Sequence, residues 1–273
     1  MQAQIPDHER TLTAVDSPEF QEADQGRRTY ELPPFLVPHS KEPIAIVYGD
    51  AHLLLVRKPD LLLSVPGRHP LNKDCMISRL QLQYPDALTV HRLDLDTSGV
   101  MVVARGRDAL VKLNRLFQQQ AVRKTYRAWV HGLVKHDEGS IDLPIARDWP
   151  NRPRQKISSD GKPSLTRFKV LRRIPAQGAA VGDSGTKSET VVAKGAAAYK
   201  GPASYLELYP QTGRSHQLRI HLAHIGHPIL GCDLYASNQV LGSAPRLMLH
   251  ATCLEFTHPY SGKQLVGHSR APF

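Results

Sequence analysis

The residues best suited to chemistry lie in one short stretch, His91-Arg92-Leu93-Asp94-Leu95-Asp96-Thr97-Ser98-Gly99, immediately before the apolar run Val100 to Ala104. A turn of charged and small residues set against a buried-strand pattern holds its polar groups at a strand edge rather than on a loose tip. Core packing has no use for a His, an Arg and two Asp so close together, so the stretch is a candidate for catalysis. The competing reading is a solvated turn with an incidental ion pair.

Three chemistries compete for the chain. His216, His221, His224, His227 and Cys232 are close enough in sequence to suggest zinc. Against a metal, the helix expected there ends before His227, and no second Cys or His pair stands at finger-like spacing. A Ser-His-Asp hydrolase would use Ser98 or Ser215, and neither lies in a Gly-x-Ser-x-Gly elbow. The third is a carboxylate acting as nucleophile or acid/base, Asp94, held by an arginine in a basic surface. That arrangement suits a nucleotide, where the cation binds phosphate and keeps the carboxylate ionised.

The elements that must position these groups read as a mixture. Ile44 to Tyr48 and His52 to Val56 form strands joined by a Gly49-Asp50 turn. Leu61 to Gly67 reads as a third strand, and Asp74 as the cap of a helix covering Met76, Leu80 and Tyr84. After the strand Gly99–Arg105 comes an amphipathic helix over 108–120, then the alternating strand Lys124 to Val130. Strands follow at 162–173, 204–209 and 246–256, with a helix after Thr212 that places Leu218, Leu222 and Ile225 on one face. Strands with few helices and mainly hairpin-scale loops predict an α+β fold on a largely antiparallel, mixed sheet.

Composition limits the partners. The 273 residues carry a net charge of +10, unevenly spread. Residues 1–44 hold eight acidic and four basic side chains, leaving 31 basic against 17 acidic in the rest. A basic body implies a polyanion, with nucleic acid ahead of membrane. No apolar run approaches bilayer length, and Cys75, Cys232 and Cys253 fit reduced thiols in the cytoplasm. Residues 1–43 are expected to be a mostly disordered acidic leader, with Leu32 to Pro38 packing on the body, and 44–273 the catalytic domain. Within it, 176–201 is rich in Ala and Gly and is expected to be a flexible insertion. Asp148-Trp149-Pro150-Asn151-Arg152-Pro153-Arg154, followed by Lys156, is a basic loop presenting a tryptophan, suited to a phosphate backbone and an unstacked base. The alternative lays Trp149 flat on the core.

The stretch at 91–99 resembles the H-R-L-D-x-x-T-S-G signature of the RluA family of pseudouridine synthases. Lys58-Pro59 with Leu62 to Gly67 resembles the family's first motif, and Lys124-Thr125-Tyr126 its K-x-Y segment. Thr212 to His221 and Gly226 to Gly231 resemble its third. The loop at 148–156 further resembles the member that modifies both a large-subunit (23S) rRNA stem-loop and tRNA anticodon stem-loops. The resemblance implies an isomerase on structured RNA, using base flipping and needing no cofactor or metal. Nothing calls for an obligate protein partner.

The same resemblance assigns roles. Asp94 is the catalytic aspartate, and Asp96 falls on a variable position. Tyr126 stacks on the uracil and is the candidate base for the C5 proton. Arg219 pairs with the aspartate, and Leu218 packs against the base. Arg92 fills the space left by the flipped nucleotide, with His91 beside it on the substrate side, and Trp149, Arg152, Arg154 and Lys156 contact RNA. Two departures stand out: Cys232 between Gly231 and Asp233, where the family usually runs Gly-Asp directly, and a short ending at Phe273. Neither falls on a catalytic position. The opposing class, an RNA-binding module that has lost catalysis, would need none of Asp94, Tyr126 and Arg219.

Overall fold

The computed structural model describes residues 11–12, 36–38, 40–176 and 199–273. Most of the expected leader and nearly all of the Ala/Gly insertion lie outside the described residues. The chain divides into two units, Met1–Leu95 with Met101–Asn114, and Asp96–Val100 with Arg115–Phe273.

In the first unit, β1 (Thr11–Leu12) pairs antiparallel with β2 (Ile44–Gly49), which pairs with β3 (Leu53–Lys58). Asp50 makes the β2–β3 turn by accepting the His52 and Leu53 amides at 2.7 and 2.9 Å. Of the segment expected to pack, Val37 donates to Asn72 Oδ1 at 3.0 Å; just beyond it, the carbonyls of Ser40 and Glu42 accept from Arg79.

Helix α1 (Met76–Gln81) is capped by Cys75 and Ser78, not Asp74. The Asp74 carboxylate instead meets the buried Arg79 at 2.5 Å. The helix also stops before Tyr84, whose amide closes a turn onto Leu80. Leu61–Gly67 is not a strand. Leu61 has φ 53°, the Leu62 carbonyl is taken by the Lys58 ammonium, and the Leu63 carbonyl by the Met76 amide. With those carbonyls spent, no ladder can form. The short β4 (Ala87–Thr89) pairs antiparallel with the far end of β5 (Ser98–Arg105), and α2 (Arg107–Gln118) buries Ala109 and Leu113.

The second unit is a run of strands on a helix. They are β6 (Arg123–His131), β7 (Glu138–Asp142), a hairpin of β8 (Ile145–Arg147) and β9 (Gln155–Ile157), β10 (Leu165–Ile174) and β11 (Ala203–Pro210). After α3 (Gln217–His224) and α4 (Asn238–Leu241) come β12 (Leu249–Thr257) and β13 (Gln264–His268). Pairing is antiparallel between β12 and β6, β6 and β11, β11 and β10, and β10 and β7; the start of β5 runs parallel to β12. The fold is α+β on a large, mostly antiparallel sheet, as the sequence predicts. Ala128 and Val130 of β6, Leu206 and Leu208 of β11 and Leu218 and Leu222 of α3 form its core.

Candidate active site

In the first unit, the segment carrying Asp94 is held by its neighbours rather than by regular structure. Ser64 Oγ donates to the Leu93 carbonyl at 2.8 Å and accepts the Leu93 amide at 3.1 Å. On the other side of Asp94, the Leu95 carbonyl accepts from Lys58 Nζ at 3.1 Å. That ammonium is fully buried and also donates to the carbonyls of Pro59 and Leu62, at 2.8 and 2.7 Å. An ammonium has three N–H donors, so this array uses its full capacity. The peptide units flanking Asp94 are thereby fixed from both sides, while Asp94 itself remains partly exposed. His91 Nε2 accepts the Val102 amide at 3.1 Å, which ties the segment to β5 and places the ring proton on Nδ1. Arg92 is exposed.

In the second unit, Asp96 and Arg219 come together. Arg219, on α3, is 1% exposed, and its guanidinium lies 3.7 Å from the Asp96 carboxylate. It also donates to Asp233 and to the thiol sulfur of Cys232, the latter at 3.4 Å from both Nε and Nη2. Its face lies 5.8 Å from the centre of the Tyr235 ring. Two carboxylates are what a buried guanidinium needs, since an uncompensated one is costly. Cys232, noted in the sequence only as a departure from the family pattern, therefore touches Arg219. Gly231 lets the chain before Cys232 pass close to the Arg246 backbone: its φ is +72°, and a Cβ there would fall 2.0 Å from the Arg246 carbonyl oxygen.

Tyr126 sits in β6 opposite Ala251 of β12, where that strand bulges between Ala251 and Cys253. A bulge redirects the side chains beside it, and Tyr126 packs partly buried on the core. Lys124, two residues earlier, shares its face of the strand; burial pulls its ammonium below the ordinary lysine range, and it reaches the Thr212 carbonyl at 3.3 Å. Leu218, 7% exposed, belongs to the core beneath α3.

Asp148 to Arg154 is the tip of the β8–β9 hairpin, and Arg152, Arg154 and Lys156 are all exposed. Trp149 does not lie on the core: it is 57% exposed and held between cations, with Arg152 4.0 Å and Arg147 5.4 Å from its ring centre. Tyr235 joins this hairpin to Arg219. Its hydroxyl accepts the Gln155 amide and meets His216 Nδ1, both at 2.8 Å, while Arg154 stacks 5.6 Å from its ring.

The histidines considered for zinc are committed separately. His216 goes to Tyr235, His221 to Thr166 and the Leu143 carbonyl, and His227 to the His131 carbonyl. Among the described residues, no group of three His, Cys, Asp or Glu is placed to hold a metal. No helix among them is long and apolar enough to cross a membrane.

Sequence reasoning missed the parts played by Ser64, Asp96, Asp233 and Tyr235. For the last two the available signal was proximity to the motif at 226–231; for Asp96 there was none beyond its neighbours.

The family described as RNA pseudouridylate synthase matches residues 52–224. The dual-specificity RNA pseudouridine synthase RluA of Vibrio parahaemolyticus is 46% identical over 217 residues, covering 79% of this chain and 78% of its own. The protein of the same name from Escherichia coli is 42% identical over 235 residues, covering 85% and 96%. Among solved structures, human RNA Pseudouridylate Synthase Domain Containing 1 superposes with a TM-score of 0.63 at 28% identity, covering 89% of this chain and 87% of that one. The chain belongs to the RNA pseudouridylate synthase family, and its class of reaction is isomerisation.

Proposed function

We propose that this protein converts uridine to pseudouridine in stem-loops of large-subunit rRNA and in tRNA anticodon stem-loops, with Asp94 as the catalytic carboxylate. The observation that carries the reading is the hold on Asp94 by two residues of the first motif. Ser64 binds both polar groups of Leu93, and Lys58 binds the Leu95 carbonyl. Loop peptide units fixed so closely on both flanks suit a carboxylate that must meet its target in one geometry.

The chemistry explains the residue types. The bond from N1 of the base to C1′ breaks, the base turns, C5 bonds to C1′, the C5 proton leaves and N1 takes up a proton. A carboxylate serves the first step by any of three routes: attack at C1′, addition at C6 or removal of a C2′ proton. Tyr126 stacks on the freed base and takes the C5 proton, Leu218 forms an apolar wall, and Arg219 is the cation that pairs with the aspartate. No electrons or groups are exchanged, so the chain needs no cofactor.

Atoms hidden in a stacked loop must be flipped out to react, and Arg92, with His91 beside it, serves the vacated space. The exposed Trp149, Arg152, Arg154 and Lys156 grip the stem-loop by stacking and by phosphate contacts. Dual specificity rests on the likeness to relatives so named and on the 148–156 loop. An enzyme acting on these RNAs works in the cytoplasm.

The test is tritium release from C5-labelled uridine in two RNAs, an anticodon stem-loop and a large-subunit rRNA stem-loop. Release from both is expected. Release from one alone would limit the substrate reading, and binding without release would make the protein an RNA-binding module.

A further inference from the structure

Ser98 and His250 face each other where β5 and β12 run parallel, with Gly99 and Ala251 as the next pair. Gly99 has φ +126°, and a Cβ there would fall 2.3 Å from the Ala251 carbonyl oxygen, so only glycine permits this approach. Beside it the side chains form a buried polar chain. Ser98 Oγ lies 2.6 Å from His250 Nδ1 and accepts from the Arg246 guanidinium at 2.6 Å. On the far side of the ring, His250 Nε2 lies 2.8 Å from Ser269 Oγ. His250, Ser98 and Ser269 are all below 5% exposure. Phe273 covers the cluster, edge-on to His250 and 6.0 Å from the Arg246 guanidinium.

Arginine only donates, so the Ser98 oxygen accepts from Arg246 and its own hydrogen remains for His250. The guanidinium strengthens that donation, and the ring passes the chain on to Ser269 through Nε2–H. Gly99 alone sets the strand spacing. What the polar chain adds is a fixed position for Ser98, and through Thr97 for Asp96 against Arg219.

We propose that His250, held between Ser98 and Ser269 and backed by Arg246, is a positioning residue for the isomerisation. It anchors Ser98 at the start of the strand and, through Thr97, holds Asp96 where it meets Arg219. The inference rests on the role proposed for Arg219.

An asparagine amide reaches the position of imidazole Nδ1, and a glutamine amide that of Nε2. His250→Asn therefore keeps a partner for Ser98 and gives up Ser269, while His250→Gln does the reverse. Ser98→Ala removes the hydroxyl with little change in volume. Turnover and KM are measured on a C5-tritiated anticodon stem-loop, with thermal midpoints alongside. Asp94→Asn is run in parallel, because activity in that variant would overturn the assignment of Asp94 and not the role of His250. With positioning, His250→Gln and Ser98→Ala lose about fivefold to tenfold in kcat with KM within about twofold, and His250→Asn loses less than about twofold. If the histidine variants do not fold, Ser98→Ala decides by the same criterion. Equal losses in the Asn and Gln variants, losses that follow the thermal midpoints, or full turnover in Ser98→Ala would overturn the proposal.

Discussion

The Arg219 guanidinium lies 3.7 Å from the Asp96 carboxylate, which makes Asp96 part of the setting of a buried arginine rather than a bystander in the motif. Asp96→Asn keeps the shape and removes the charge, leaving Asp233 as a carboxylate partner of Arg219. The expected cost is about 1–2 kcal/mol, a fall of roughly 2–8 °C in thermal midpoint. Turnover should fall by less than about tenfold. An unchanged midpoint would show that the pair is too long to matter.

Tyr235 links the basic hairpin to Arg219, its hydroxyl meeting Gln155 and its ring stacking near Arg154 and Arg219. Tyr235→Phe keeps both ring contacts and loses the hydroxyl. Stem-loop binding should weaken about threefold to tenfold, as the hairpin loses the hydroxyl that joins Gln155 to His216, with turnover at saturating RNA little changed. Titration of the variant against wild type checks this, and a loss confined to turnover would place Tyr235 with the chemistry.

Burial holds the His221 imidazole below its ordinary value of 6.5, against a smaller upward pull from the Leu143 carbonyl. Between that lowered value and 6.5, the unfolded chain binds the proton more readily than the folded one. Stability therefore rises with pH in that window and is lost as pH falls below about 6.5. Thermal midpoints from pH 7 down to pH 5 should drop more steeply for wild type than for His221→Gln. Parallel curves would assign the acid loss to other groups.

The strands and the main helix faces were legible because alternation and 3.6-residue spacing follow directly from burial, as at Lys124 to Val130 and at Leu218 and Leu222. Leu61–Gly67 was misread because its apolar residues imitate a strand, while its carbonyls are taken by Lys58 and Met76, partners that only the folded chain brings near. Asp74 looked like a cap because it precedes the helix, yet it spends its carboxylate on Arg79. At the site, Asp94, Tyr126 and Arg219 stood out through motifs. The Asp96–Arg219 pair spans more than a hundred residues and leaves no local pattern. Cys232 appeared as an odd residue, and only its packing under the guanidinium shows what it touches.

Arg152, Arg154 and Lys156 are exposed around Trp149, where they suit a phosphate backbone. Replacing all three with alanine should weaken stem-loop binding and reduce the slope of log affinity against log salt by up to about three units, somewhat less for single strands. Titration of an anticodon stem-loop at several salt concentrations measures it. An unchanged slope would move the RNA to another face.

The central claim is that the Asp94 carboxylate performs the isomerisation, and substitution by its amide tests it most directly. Asp94→Asn preserves size, and the flanking hold by Ser64 and Lys58 uses backbone groups that the substitution leaves in place. Folding and RNA affinity should therefore remain close to wild type. Tritium release from C5-labelled uridine in an anticodon stem-loop is predicted to be abolished. Release within about tenfold of wild type, a barrier change of only about 1.4 kcal/mol, would contradict the claim.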